Sequence, residues 1–158
     1  KEGLKDHVII KAADESIDSR IPRMDTEYSM GYQLTMELLQ EGRQFTAIAG
    51  QNDMMAIGAL DALHEAKVHV PRDVSVIGCD NIFYSSIRRI SLTTIDHFVA
   101  LKGQDACDII LRKIDTRERA MTDSAPISLY NIEYTPKLIS RRTTGYARTR
   151  KNPAGKIN

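Results

Sequence analysis

Three short apolar segments in this chain each run straight into a polar cluster: TAIAG into Gln51-Asn52-Asp53, VSVIG into Cys79-Asp80-Asn81, and LTTI into Asp96-His97. Apolar runs of this length, closed by turn-forming residues, predict strands of an open parallel α/β sheet. Ligands of such sheets sit in the crevice beyond the carboxyl ends of the strands, so the three clusters are expected to converge on one site. The chain reads as part of a binding module.

The segments between the strands carry helical periodicity. His7–Lys11 is a β-branched run that predicts a further strand, followed by a polar loop to Pro22. Asp25 or Thr26 can cap a helix to about Gln40, with Met30, Leu34 and Leu38 four apart and Gly42 as its stop. A second helix from Asn52 or Asp53 to about Lys67 is apolar around most of its circumference, leaving only Asp61, His64, Glu65 and Lys67 as a polar strip. Such a helix needs a second covering surface, either another layer of its own chain or a partner subunit, and a dimer interface is the expectation. Ile82–Arg89 predicts a short helical piece. From Phe98 to about Lys113 a third amphipathic helix carries Val99, Gly103, Ala106, Cys107, Ile110, Leu111 and Ile114 on one face. A loop over 115–125 and two extended segments, 127–134 and 137–140, complete the order, divided by Pro136, which cannot sit inside a central strand.

With 158 residues, 42% hydrophobic and 27% charged, the chain is ordinary material for one globular domain. No stretch approaches the roughly 20 apolar residues that span a membrane, and KEGLKDHVII lacks the apolar core of a signal peptide. Cys79 and Cys107 form neither a CxxC pair nor a disulfide framework, and a reducing cytoplasm is the expected location. The net charge of +1 hides an asymmetry: Arg141, Arg142, Arg148, Arg150, Lys151 and Lys156 lie in the last eighteen residues, which hold no acid. Residues 146–158 are expected to be a solvated basic tail, although such a tail can also bind phosphate backbones.

Enzymatic chemistry finds little support. The four histidines, His7, His64, His69 and His97, show no metal-ligand spacing, and neither a GxSxG elbow nor a glycine-rich phosphate loop is present. Asp53 and Asp80 at neighbouring strand ends could serve as an acid and base, but structural roles explain them far better. Cys79 lies beside Asp80, whose charge disfavours a thiolate nucleophile. No metal and no cofactor is expected.

The residues from FTAIAGQNDMMAIGALDALHEAKVHVPRDVSVIGCDN to LTTIDH resemble the effector-binding core of LacI/GalR-type bacterial transcriptional regulators, with their strand, Asn-Asp, alanine-rich helix, VPxDVSVxGxDD and LTTI. The closing IEYTPKLISRRTTG resembles the C-terminal strand of that family. The resemblance covers about residues 1–145. It implies a periplasmic-binding-protein-like type I fold: a Rossmann-like parallel sheet flanked by helices, here the C-terminal subdomain, with residues 98–135 crossing toward an N-terminal subdomain that this chain does not include. It further implies a fragment whose operator DNA is met through a helix-turn-helix outside the chain, and whose uncovered crossover helix is displaced, mobile or packed on another chain.

The same resemblance implies a small polar effector, sugar-like or nucleoside- or purine-like. Asp80 matches the first acid of GxDD and is suited to accept two hydroxyl hydrogen bonds, or to cap the next helix. Asn52 matches the Asn of Asn-Asp, suited equally to a polyol ligand or to capping the next helix, with Asp53 read as the cap. Thr26 stands where several members place a stacking aromatic, which Tyr28 could replace. His97 falls at a crossover position, to touch ligand or brace the hinge. Asn81 departs from the second Asp. A homodimer is implied, with Met54, Met55, Ile57, Gly58, Ala62, Phe83 and Tyr84 at its interface. A transporter's periplasmic sugar-binding protein shares fold and cleft, but the nearly all-apolar helix, the SRRTT ending and the free cysteines speak against it.

Overall fold

The computed structural model describes residues 8–12, 23–120 and 131–146, with backbone only at 23–25 and 116–120. The predicted tail beyond Tyr146 and the start of the 127–134 segment lie outside the described residues.

Elements follow in the order α1 (Arg23–Gln40), β1 (Ala47–Ala49), α2 (Asp53–Glu65), β2 (Ser75–Cys79), α3 (Phe83–Ser86), β3 (Thr93–Asp96), α4 (Val99–Ala120) and β4 (Lys137–Ile139). The four strands form one sheet in the order β1-β2-β3-β4. β1, β2 and β3 are parallel, pairing Ile48 with Val76 and Gly78 with Thr94. β4 returns antiparallel, with Leu138 opposite Ile95. Parallel pairing of β1 with β2 requires the crossover that α2 supplies.

The core lies between α2 and the sheet, where Ala56, Leu63, Val76 and Leu92 are fully buried. The far side of α2 is covered by α1, and the two helices meet backbone to backbone. A Cβ at Gly58 would stand 2.0 Å from the Tyr28 carbonyl oxygen, and one at Gly31 2.0 Å from that of Met55. Two polar ties flank this seam: the Tyr28 hydroxyl donates to Asp61, and the Tyr32 hydroxyl to Glu65 (2.6 Å). The second cover that the all-apolar helix requires is thus another layer of the same chain. Gly58 and Ala62, expected at a dimer interface, are buried in this helix pair, and Ile57 is nearly so. The face of α1 that packs is Tyr28, Gly31 and Thr35, whereas Met30, Leu34 and Leu38 are only half-buried. Small residues let two helix axes approach closely, which a count of large apolar side chains does not register.

The stop of α1 follows the sequence, while its start and the end of α4 do not. Gly42 takes φ +66°, while Gly42 N–H bonds to Leu39 O (3.1 Å) and Arg43 N–H to Leu38 O (3.2 Å), the paired bonds of a Schellman stop. α1 begins at Arg23, two residues before the expected cap. α4 continues to Ala120 through the expected loop, because 115–120 contains charged helix formers and no breaker.

Two expected elements differ more. Residues 8–11 are in no strand, and Val8 and Ile10 are exposed. Lys11 instead reaches the end of α1, its ammonium 2.5 Å from Glu41 and 3.6 Å from Glu37. A β-branched run becomes a strand only where a sheet edge accepts it. The apolar face of α4 has no host among the described residues: Ile110 is 56% and Leu111 63% exposed. α4 is tied down near its start, where the Tyr134 hydroxyl donates to Asp105 and the Lys102 ammonium lies 5.7 Å above the Tyr134 ring.

Candidate functional site

Three strand ends, those of β1, β2 and β3, open on one side of the sheet, as parallel pairing demands. After β1 comes Asn52, whose side-chain oxygen accepts from Met55 N–H (2.9 Å) and caps α2 from an extended backbone. Its role as a cap is structural, and Asp53, read as the cap, does something else.

Asp53 is fully buried. Its carboxylate accepts from the Thr94 hydroxyl (2.5 Å) and from Ile82 N–H (2.9 Å), so one side chain at the start of α2 ties β3 to the entry of α3. Burial pushes its carboxyl above the usual range; the hydrogen bonds from Thr94, Ile82 and Ser85 pull it back, and the nearby Asp80 charge adds to the rise. Gly78 makes room for it, since a Cβ there would lie 2.3 Å from the Asp53 Oδ1.

The strands then turn sharply. Asp80 (φ +109°), Asn81 (φ +52°) and Phe98 (φ +60°) all occupy the left-handed region that L residues rarely adopt. Such strain persists only where surrounding bonds over-determine the conformation, and it concentrates at functional sites. Here Asn81 donates to Asp96 (3.0 Å) and accepts from Arg141 (2.7 Å), while Asp96 accepts from Phe98 N–H (2.8 Å). The Phe98 amide, first among these partners, holds the Asp96 carboxyl below its usual range.

Arg141 is the residue that sequence reasoning missed. Its guanidinium bridges Asn81, the Leu92 carbonyl (2.7 Å) and the Ser85 hydroxyl (3.2 Å), carrying the C-terminal segment into the site loop. Its neighbour Thr143 is buried between β2 and β3, donating to Val76 O (2.7 Å) and accepting from Thr93 N–H (2.8 Å). The RRTT run carried the signal, as a motif match without a mechanism.

What remains open to solvent at the strand ends is Asp80 with His97. The Asp80 Oδ1 lies 2.7 Å from His97 Nε2, and the two side chains are about one third exposed, at 35% and 31%. Lys102 approaches the other ring nitrogen at 3.2 Å. The structure therefore brings two of the expected ligand residues into direct contact. Tyr28 is placed elsewhere: it lies against α2, and its hydrogen bond to Asp61 pushes the phenol up to about 12. An aromatic floor from Tyr28 is accordingly corrected. Thr26 is half-buried on α1.

Cys79, Asp80 and His97 also bring one sulfur, one oxygen and one nitrogen within 4.8 Å of one another. That donor set could hold a divalent transition ion, but burial first, and Asp80 second, push the Cys79 thiol up and disfavour the thiolate a metal would need. Of the residues expected at a dimer interface, Met54 and Met55 are half-buried, while Phe83 is 78% and Tyr84 43% exposed, edge to face with each other (6.1 Å). Among the described residues no helix is long and apolar enough to cross a membrane.

Comparison with known proteins places this architecture. Residues 1–144 match the periplasmic binding protein-like domain family. The chain is similar to the HTH-type transcriptional regulator GalR of Escherichia coli (strain K12), 32% identical over 119 residues that make up 75% of this chain and 32% of GalR. It superposes on a LacI-family transcriptional regulatory protein from Corynebacterium glutamicum with a TM-score of 0.59 and 38% identity, covering 74% of this chain and 42% of that one. A third likeness is the Lac repressor dimer bound to operator and the anti-inducer ONPF, with a TM-score of 0.58 and 34% identity over 73% of this chain and 38% of that one. The chain spans about a third of the length of the curated relatives it matches.

Proposed function

Since the chain belongs to the periplasmic binding protein-like domain family, in its LacI/GalR branch, we propose that it forms the C-terminal half of an effector-binding core in a transcriptional regulator. The strand ends then form one wall of a cleft for a small polyhydroxylated effector, a sugar or a nucleoside. The observation that carries this is the Asp80–His97 pair, a carboxylate and an imidazole held together at the carboxyl ends of β2 and β3 and left open to solvent. Asp80 accepts hydroxyl hydrogen bonds from the ligand, His97 orients the carboxylate and adds a donor, and Asn52 offers its amide group from the neighbouring strand end. No step of bond making is involved, and the protein acts as a receptor rather than an enzyme.

In the intact protein the uncovered face of α4 is the seat of the remainder of the core. Effector then favours one relative placement of the two halves and shifts the equilibrium of operator-binding heads. The exposed Phe83 and Tyr84, together with the half-buried Met54 and Met55, contribute to contact with a second subunit, in keeping with the dimer of the Lac repressor likeness.

A thermal-shift screen of monosaccharides, nucleosides and purine bases, carried out on the chain and on its Asp80→Asn variant, tests this reading. A ligand that stabilises the parent and not the variant supports it. Stabilisation that survives Asp80→Asn unchanged would place the site elsewhere.

A further inference from the structure

Spacing along the chain gives the histidines no metal-ligand pattern, yet the fold assembles a donor set at the ends of β2 and β3. Cys79, Asp80 and His97 bring a sulfur, a carboxylate oxygen and a ring nitrogen within 4.8 Å of one another, and each residue is half-buried. Among the described residues no other three such donors gather in this way. Cys79 and Asp80 are consecutive, and in a continuing strand consecutive side chains point to opposite faces. The backbone at Asp80 (φ +109°) breaks that alternation, so thiol and carboxylate stand side by side.

The frame around the donors is well fixed. Asp80 N–H donates to Ile95 O (2.9 Å), joining the end of β2 to that of β3, while the neighbouring Asn81 and Asp96 are held to each other and Asn81 to Arg141. Thiolate, imidazole and carboxylate are the mixed donors that suit zinc and related divalent ions, and three protein ligands leave a fourth position for water. The thiolate and carboxylate charges together balance a dication. In the metal-free chain burial and the Asp80 charge keep the proton on Cys79. A dication reverses that balance, since a coordinated thiol gives up its proton.

An ion enters between Asp80 Oδ1 and His97 Nε2, which stand 2.7 Å apart on side chains about one third exposed and therefore with room to part. Lys102 opposes this step. Its ammonium can only donate, so at 3.2 Å from His97 Nδ1 it keeps the ring proton on Nε2. When Nε2 takes a metal the ring proton moves to Nδ1, Lys102 swings away from its exposed place on the first turn of α4, and the Cys79 proton leaves to solvent.

From this arrangement we infer that Cys79, Asp80 and His97 form a binding site for a zinc-class divalent ion. The inference stands without the effector reading, because Cys79 makes no contact assigned to the effector.

Cobalt(II) titration of the tag-free full chain, in a non-thiol reductant, reads the site through thiolate-to-cobalt charge-transfer absorption. The band is expected to saturate, and zinc, which binds such donors more tightly, to abolish it. Cys79→Ser is expected to remove the band and Cys107→Ser to leave it intact. His97→Ala and Asp80→Asn are each expected to weaken cobalt at least about tenfold. Lys102→Met is expected to tighten cobalt, a change that damage to the fold would not produce. Circular dichroism checks each variant, and were Cys79→Ser to unfold, His97→Ala and Lys102→Met carry the test with their opposite signs. Absence of the band in the parent, a band that persists in Cys79→Ser or is lost in Cys107→Ser, or a cobalt affinity unchanged by both His97→Ala and Asp80→Asn would overturn the inference.

Discussion

α2 and α4 are both helices with aliphatic surface to bury, yet among the described helices α2 is enclosed and α4 is largely exposed. α2 is enclosed by the sheet on one side and α1 on the other, and it is anchored at its first residue by Asp53. α4 leaves Val99, Ile110, Leu111 and Ile114 at least half exposed, and near its start it is tied down where Asp105 and Lys102 meet Tyr134 and Lys102 meets His97. Burial of a large apolar side chain contributes about 1.5–3 kcal/mol, a term realised along α2 and left unrealised along α4. Periodicity therefore states that a helix has a face to bury, while the host of that face is a separate matter.

Three variants test this contrast. The largest effect is expected for Gly58→Val, whose Cβ has no room beside the Tyr28 backbone. Prying α1 from α2 should cost at least about 3 kcal/mol in urea denaturation. A cost below about 1 kcal/mol would mean that α1 is a loose cover and that α2, like α4, awaits another partner.

Asp53→Asn comes next, at about 1 kcal/mol near neutral pH, because an amide cannot accept from both Ile82 N–H and the Thr94 hydroxyl without reorienting one of them. Its pH dependence is the sharper reading. The folded state raises the Asp53 pKa, so it binds that proton more tightly than the unfolded chain does. The associated stability is fully present below the ordinary carboxylate range and is lost as pH rises through the raised value. Asparagine does not titrate, so the gap between parent and variant should widen as pH falls through that window. A gap independent of pH would show that Asp53 is not held protonation-sensitive by its burial.

The smallest effect is expected for Ile110→Ser with Leu111→Ser on α4, within about 0.5 kcal/mol, as for exposed positions generally. The pair should lower self-association in sedimentation velocity if the bare face is sticky. A loss of several kcal/mol would reveal that α4 finds a host in solution.

Much of this was legible in the residues. The three parallel strands, α2 with its start at Asn52-Asp53, the Gly42 stop and the placement of Asp80 and His97 at strand ends follow from local patterns: apolar runs, caps and turn residues. Asp80–His97 was readable as two residues at one end of the sheet, not as a pair in contact. Other features were not legible, since each depends on partners distant in sequence. Val8–Ile10 has strand chemistry and no strand. Tyr28 carries an aromatic ring suited to a ligand, and the fold gives it to Asp61. Arg141 looks like a surface charge next to Arg142, yet its guanidinium holds the site loop.

Spacing along the chain and backbone preferences within a few residues are enough to give the class of fold, the end of the sheet where Asp80 and His97 lie, and which helices must hide an apolar face. Contacts between distant parts of the chain settle that α1 covers α2, that Asp53 is a buried bracket rather than a cap, and that Arg141 holds the site loop. Those outcomes depend on which surfaces meet in space, where a glycine's missing side chain or a distant hydroxyl decides the energy.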